Sequence, residues 1–336
     1  MFNSLAQQLI DALAANIAVL NRSGDIVAVN RAWRQFADSN GASGDGVGIN
    51  YLDLCAPSVE RHLLSSVSAV SFAPDDHSLL AARGIAGVLF DDMPRFQLTY
   101  PCHSPTEQRW FLLTVTPLEL DGTRYAIVAH ENITTLKQRE QDTAAALTGT
   151  VEAMAHMVER RDPYTAGHQK SVARLAVAIA SAIGLRGEDL HGIHLAASIH
   201  DLGKIAVPSE ILTRPGALSD LETRLMRTHC QVGWELVAEI PFPWPLADVI
   251  LQHHEHMDGS GYPFGLRGDA IRIESRIVAV ADVADAISSH RPYRPSRGIE
   301  IANREIRQCV GSFYDPDVVD AYFTPQVQSL LAELYR

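Results

Sequence analysis

Positive charge, cysteine and long apolar runs are all scarce in this sequence. Lys and Arg number 28 against 40 Asp and Glu, a net charge of −12 at pH 7, which excludes a non-specific nucleic-acid binder, because neutralising backbone phosphates takes an excess of cationic side chains. Any phosphate-bearing ligand must therefore meet locally clustered cations or a metal ion. The four cysteines, Cys55, Cys102, Cys230 and Cys309, have no CxxC spacing, and a chain of this size needs no disulfide staples, so they read as free thiols. Residues 9–20 form one of the longer apolar stretches, yet Asp11 and Asn16 interrupt it, and nothing approaches the roughly 20 residues that cross a bilayer. No basic run followed by an apolar core and a small-residue cleavage site stands at the N-terminus. The expectation is a cytoplasmic protein with neither a membrane segment nor a nucleic-acid partner.

What is present is enough apolar sequence for two folded domains: 336 residues, 46% apolar and 20% charged, with no low-complexity tract. Residues 17–30 read as two short alternating strands around a turn at Ser23, Gly24 and Asp25. Three more β-like runs follow at 96–100, 110–117 and 125–130, the last two separated by Asp121-Gly122. Helical patterns at 31–37 and 58–71 can cover one sheet face. The N-terminal half is therefore α+β with about five strands. The segments LNRSGDIVAVNRAWRQFA, VGINYLDLC, YPCHSP, RWFLLTVTPL and ENITTLKQRE resemble a PAS sensor domain over roughly residues 8–137. That resemblance implies a scaffold around a small cavity and an unknown small ligand or signal.

Beyond residue 133 an Ala-rich polar helix carries Leu147, Val151, Met154 and Val158 at spacings of four, three and four. This is either a short coiled-coil seam, which makes the chain a parallel homodimer, or a helix packed on its own domain. From residue 160 onward the pattern is helical, with turn clusters near Pro208, Pro215 and Gly259, and the second domain reads as an all-α bundle. The expected domains are a PAS-like domain at 1–137, a connecting helix at 138–158 and a hydrolase at 159–336.

Successive helices of that second domain carry histidine and aspartate on their apolar faces. His168 stands four residues before Val172 on the stripe Val172, Leu175, Ile179 and Ile183. Ile193, Ala196 and Ala197 lead to His200-Asp201. A third helix starts at the capping box Ser219 to Glu222 and runs through Leu225, His229, Val232 and Leu236. Ile250 and Leu251 precede His253-His254, and Val278 and Ala281 precede Asp282. One buried histidine is ordinarily a satisfied core residue. Burying five imidazoles and two carboxylates without compensation would cost several kcal/mol per group, comparable to the stability of a domain. A metal cluster removes that cost, and imidazole with carboxylate suits iron, manganese or zinc. Two cations can clamp a phosphodiester and make hydroxide available near neutral pH. Lys204, one turn after His200, and Arg291 and Arg294, beyond Asp282, are candidate phosphate contacts.

The motifs RDPYTAGHQKSV, HDLGKIAVP, ILTRPG, HHEHMDGSGYPFGL, ADVADAI, RPYR and FYDPDVV are similar in order and spacing to the HD-GYP family of cyclic di-GMP phosphodiesterases. The resemblance covers roughly residues 150–325 and includes Gly261-Tyr262-Pro263. It implies that His168, His200, Asp201, His229, His253, His254 and Asp282 hold two divalent ions, iron or manganese, with Asp201 bridging. It also implies a catalytic role for Lys204 and substrate contacts from Tyr262, Arg291 and Arg294. The run RPG departs from the usual KPG but keeps the charge. Some members resemble ETGxH before the first histidine, with a glutamate that helps hold a third metal. Here Tyr164 stands in that place, which implies a dinuclear site with Tyr164 beside it. The other expectations kept open are an HD-type hydrolase of another nucleotide and a non-catalytic cyclic-dinucleotide receptor.

Overall fold

The computed structural model describes residues 4–42, 44–56, 76–104, 107–161, 167–214, 216–289 and 296–335. The chain divides into two compact units, Met1–Thr143 and Ala144–Arg336.

The first unit is α+β, as expected. Its helices are α1 Ser4–Asp11, α2 Arg31–Ser39, α3 Tyr51–Cys55 and α4 His77–Phe90. The strands are β1 Asn16–Leu20, β2 Ile26–Val29, β3 Phe96–Pro101, β4 Trp110–Leu120 and β5 Thr123–Asn132, in one antiparallel sheet of order β2-β1-β5-β4-β3. The β4–β5 hairpin turns at Asp121 (φ 50°) and Gly122 (φ 72°). Positive φ at both positions matches the strand twist and explains an Asp-Gly pair there. Asn30 caps α2 through the Trp33 N–H, accepts from Ile17 N–H at 2.9 Å, and donates to the carbonyls of Ile10, Leu13 and Ala15. One buried amide thus ties the end of α1 to β1 and α2.

Helix α4 escaped the sequence reading because SLLAARGIAGVLF lacks an amphipathic period; its residues are buried on nearly all sides. It packs on β3, β4 and β5. Gly84 permits that approach, since a Cβ there would lie 2.1 Å from the Phe96 ring. The helical expectation at 58–71 lies outside the described residues.

In the second unit the described elements are helical. Helix α5, Thr134–Arg161, enters it and is followed by α6 His168–Ile183, α7 Glu188–Ile199, a 3₁₀ turn Leu202–Ala206 and α8 Ser209–Leu212. Then come α9 Asp220–Arg227, α10 His229–Val237, α11 Leu246–Gln252, α12 Ile273–Ser288, α13 Ile299–Gln308, α14 Pro316–Tyr322 and α15 Pro325–Leu334. Helix α6 is the hub, packing against α7, α12, α14 and α15. Its stripe Val172, Leu175 and Ile179 is fully buried, and Gly184 ends it at φ 109° while Leu185 N–H returns to the Ala180 carbonyl.

The structure corrects one helix. The capping box at Ser219 and Glu222 is present, but the expected single helix from Ser219 to Leu236 breaks at Thr228 into α9 and α10. The break resets the helical phase, so Leu225 and Leu236 are exposed while His229, Cys230, Gly233 and Val237 are buried. Two glycines bring α10 against the 3₁₀ turn. A Cβ on Gly203 would lie 1.9 Å from the His229 carbonyl oxygen, and one on Gly233 would lie 3.0 Å from Gly203 N. Among the described residues no helix is long and apolar enough to cross a membrane, and the four cysteines are unpaired.

The seam at 147–158 resolves in favour of a helix packed on its own unit. Val151, Ala155 and Val158 sit in the core cluster of the helical unit, with Met154 against it. Val151→Asp should therefore place an unpaired carboxylate in that core and cost about 3 kcal/mol or more. Calorimetry should show the transition of the helical unit at a lower temperature. An unchanged transition with weakened self-association would instead return these residues to a seam between copies.

Candidate metal centre

Helix ends bring the expected residues together. His168 opens α6, His200 and Asp201 follow α7, His229 opens α10, His253 and His254 follow α11, and Asp282 lies in α12. His168, His200, Asp201, His229 and His253 are buried. Three sets have ligand atoms within 4.8 Å of one another: His168, His200 and Asp282; His200, Asp201 and His253; and His229, Cys230, His253 and His254.

The protons on these rings are assigned by their backbone partners. His200 Nδ1 donates to the Ala197 carbonyl, His229 Nδ1 to Met226 and His253 Nδ1 to Ile250, each at 2.7 Å. A carbonyl only accepts, so each Nδ1 carries the proton and Nε2 of the neutral ring keeps a lone pair. Burial, reinforced by the neighbouring imidazoles, holds His253 far below its usual range. Burial also lowers His229, and burial with the field of His229 pushes His254 down to about 3. These lone pairs converge on one another: His229 Nε2 and His253 Nε2 are 3.3 Å apart, and among the described residues the buried Nε2 of His200 has no hydrogen-bond partner. Among the described residues the one protein donor near His229 Nε2 is the Cys230 thiol at 3.5 Å, a weak one. Burial raises that thiol, so it is neutral.

Asp201 lies between the sets. Its Oδ1 is 3.4 Å from His229 Nε2, and its Oδ2 is 3.4 Å from His200 Nε2, 3.9 Å from His168 Nε2 and 2.5 Å from Lys204 Nζ. Burial opposes its charge, but Lys204 and the histidines outweigh burial and hold it well below the carboxylate range. Asp282 Oδ1 is 3.2 Å from His168 Nε2 and 3.8 Å from His200 Nε2. Burial works against its charge as well, yet the His168 hydrogen bond prevails and it too is held low.

His168 differs from the other rings. Its Nδ1 is 2.6 Å from Asp285 Oδ2, and the other Asp285 oxygen accepts from the Tyr335 hydroxyl. Burial disfavours an imidazolium, but the hydrogen bonds to Asp282 and Asp285 overcome it and raise the ring to about 10. Asp285, which the sequence reading missed, is a buried partner of His168. It lies one turn beyond Asp282 on the same face of α12 and fixes the His168 ring, as a second layer of partners does for metal-binding imidazoles.

The loop after His254 is built by its own contacts. Buried Glu255 accepts from Phe264 N–H at 2.7 Å and Leu266 N–H at 2.9 Å. Arg276 donates to the carbonyls of Ile271 and Gly268 and to Asp315. Gly261 is required by space, since a Cβ there would lie 2.4 Å from His256 N and 2.5 Å from the His254 carbonyl oxygen. Tyr262 stacks on His254 at 4.8 Å, and the Arg227 guanidinium lies 4.8 Å above its ring. Arg227 was not singled out in the sequence. Arg291, Arg294 and Tyr164 lie outside the described residues. Glu159 accepts from the Gly167 N–H beside His168.

A cation answers each of these observations. It would take the facing lone pairs of His229 and His253, give His200 Nε2 a partner and offset the charge of two ionised carboxylates, and the nitrogen and oxygen donors fit a divalent transition metal. A cation bonded to His168 Nε2 displaces the proton held there.

Residues 152–318 match the family model described as HD domain. The chain is 39% identical over 181 residues to the cyclic di-GMP phosphodiesterase response regulator RpfG of Xanthomonas campestris, covering 53% of this chain and 48% of that protein. It is 37% identical over 188 residues to a cyclic di-GMP phosphodiesterase of Thermotoga maritima, covering 55% and 50%. To the 3′3′-cGAMP-specific phosphodiesterase 3 of Vibrio cholerae it is 36% identical over 174 residues, covering 52% and 38%. The chain thus spans about half the length or less of these curated relatives. The matched residues lie within the helical unit, which therefore carries the HD domain match.

Proposed function

We propose that the chain is a cytoplasmic, metal-dependent phosphodiesterase of the HD-GYP type that hydrolyses cyclic di-GMP. The observation that carries this reading is the convergence of the Nε2 lone pairs of His200, His229 and His253 beside two ionised carboxylates, with the weak Cys230 thiol as the nearby donor to His229. His168, His200 and Asp282 would hold one ion and His229, His253 and His254 the other, with Asp201 shared. When bound, two divalent iron or manganese ions supply Lewis acidity toward the phosphodiester and hydroxide near neutral pH. Lys204, held by Asp201, lies where it can meet negative charge developing on phosphoryl oxygens. Tyr262, held between contacts to Arg227 and His254, would contact the substrate at its edge or hydroxyl, and Arg291 and Arg294 would supply phosphate contacts. Water is consumed, one P–O bond breaks, and a phosphomonoester and a free hydroxyl result. The N-terminal unit is proposed as a PAS-like sensor that biases this activity, supported by its antiparallel sheet and the cavity described below.

A second substrate, 3′3′-cGAMP, is favoured by the Vibrio cholerae relative named for it. Anaerobically prepared protein assayed against cyclic di-GMP, 3′3′-cGAMP and a nucleoside triphosphate decides between them. Turnover of the triphosphate alone would overturn the cyclic-dinucleotide reading. Absence of any turnover by metal-loaded protein would favour a receptor.

Metal analysis of the same preparation should give about two ions per chain. His200→Ala and Asp201→Ala should each lower metal content and reduce hydrolysis by more than about 100-fold. Retention of both would remove these residues from the site.

Metal uptake should also release protons. In the metal-free site His168 sits at about 10, so at neutral pH it carries a proton that a cation must displace. His229, His253 and His254 are lowered and neutral, and both aspartates are already ionised. Mn²⁺ added to metal-free protein in weak buffer at pH 7 should release about one proton per chain from the ligand set. Apparent affinity should then rise roughly tenfold per pH unit below 10. Affinity independent of pH between 7 and 9 would contradict this assignment.

A further inference from the structure

The N-terminal unit holds a partly open cavity of about 630 Å³ that the proposed hydrolysis does not use. It lies at one end of the inner sheet face. Along β5 that face reads Ala126, Val128 and His130, along β4 it reads Val115, Leu113 and Phe111, and along β3 it reads Phe96, Leu98 and Tyr100. Register pairs Leu113 with His130 and Tyr100 with Phe111. The face is apolar until its last two rows, where His130 and then Tyr100 open onto the cavity, and Tyr51 at the start of α3 closes on them.

These three side chains form a linear chain of two hydrogen bonds with His130 in the middle. Tyr51 Oη is 2.8 Å from His130 Nε2, and Tyr100 Oη is 2.6 Å from His130 Nδ1. Burial holds the imidazole down to about 4 and holds both phenols above their usual range, so all three are uncharged at neutral pH. A neutral imidazole has one N–H and one lone pair. One tyrosine therefore donates to the ring and the other accepts from it. The accepting tyrosine keeps its own O–H, for which the described residues offer no acceptor. Several other polar atoms at the walls are engaged: Trp33 Nε1 donates to the Asp45 carbonyl, Asp45 Oδ1 accepts from Val47 N–H, and Asn40 Oδ1 accepts from Arg109, while the Asn16 amide adds a further polar group to the lining. Aromatic walls come from Trp33, Phe36 and Phe111, with Trp33 5.8 Å from His130. Among the described residues no Lys or Arg lines the cavity, Arg109 standing behind Phe36 and Asn40, and Asp45 is the one lining carboxylate.

We propose that this cavity binds an uncharged, planar, largely apolar small molecule carrying a carbonyl-type acceptor, which takes the unshared phenol proton of the Tyr51–His130–Tyr100 chain. Flat aromatic walls favour a flat ligand. The absence of a lining cation disfavours anions, because a buried charge without a partner is costly. A phenol proton left unshared in a half-buried aromatic cavity favours a ligand that accepts it. Either tyrosine can present the proton, since exchange of the imidazole tautomer reverses the chain, so the acceptor has two points of attachment.

Equilibrium dialysis of the full-length protein against three probes tests this: 9-fluorenone, the hydrocarbon fluorene, and 9-fluorenone-2-carboxylate. They share a planar frame, and the ketone or the charge is the variable. Fluorenone should bind saturably at one site per chain, and fluorene roughly tenfold more weakly, the worth of one neutral hydrogen bond. The carboxylate should bind more weakly than fluorenone. Tyr51→Phe/Tyr100→Phe should retain fluorene binding and lose the preference for the ketone. Equal binding of ketone and hydrocarbon by the unmodified protein, tighter binding of the carboxylate, or no saturable binding of fluorenone would each overturn the proposal. The readout does not pass through hydrolysis, so it stands or falls independently of the catalytic reading.

Discussion

Three imidazole protons committed to backbone carbonyls decide what the helical unit can hold. His200, His229 and His253 each donate Nδ1 to the carbonyl three residues earlier, a bond available where a histidine sits at or just beyond a helix turn. The consequence is directional, because every Nε2 lone pair is turned inward and none has a proton to share. Water or a hydroxyl can satisfy one such lone pair, but several converging within a few ångströms around two carboxylates call for a cation. The remaining features of the site follow from holding that set in place. Gly203 and Gly233 let the 3₁₀ turn bearing Lys204 lie against α10, Asp285 and Tyr335 fix the His168 ring, and Glu255 gathers the loop that carries Tyr262.

The site was legible in the sequence to the extent that each residue stood on an apolar stripe of its own helix. His168 is the clearest case, four residues before Val172 and buried with it. His229 was placed inward by reasoning that the structure does not follow, since the helix breaks at Thr228 and the stripe it was read from is partly exposed. It is buried because it opens α10 against the 3₁₀ turn. Asp285, Glu255, Tyr335 and Arg227 were missed because a buried polar residue that serves another side chain leaves no periodic signal. A charged residue inside an apolar helix, such as Asp285 in ADVADAI, is the one mark that was available.

In the N-terminal unit, alternation and turn chemistry were enough for five strands and the Asp121-Gly122 hairpin. They were blind to α4, whose continuous apolar run has no face to prefer. They were blind also to the polar chain at the cavity, because Tyr51, Tyr100 and His130 are brought together by sheet register and by the start of α3 rather than by spacing along the sequence. The 147–158 helix shows the converse limit. A heptad-like pattern states that one face is apolar and says nothing about what covers it; here the core of its own unit does.

The two polar clusters differ in the sign of what they lack, and that difference separates their chemistry. In the helical unit the count of protons falls short of the count of inward lone pairs, so the missing partner is positive and hard enough for imidazole and carboxylate. In the sheet unit a neutral imidazole between two phenols leaves one proton in excess, so the missing partner is an acceptor, and with no lining cation it is uncharged. Both conclusions rest on the same rule, that a buried donor or acceptor left without a partner costs more than the bond is worth when made. A single histidine serves each logic according to its neighbours. Beside a carbonyl it turns a lone pair to a metal, and between two hydroxyls it passes a proton to whatever the cavity admits.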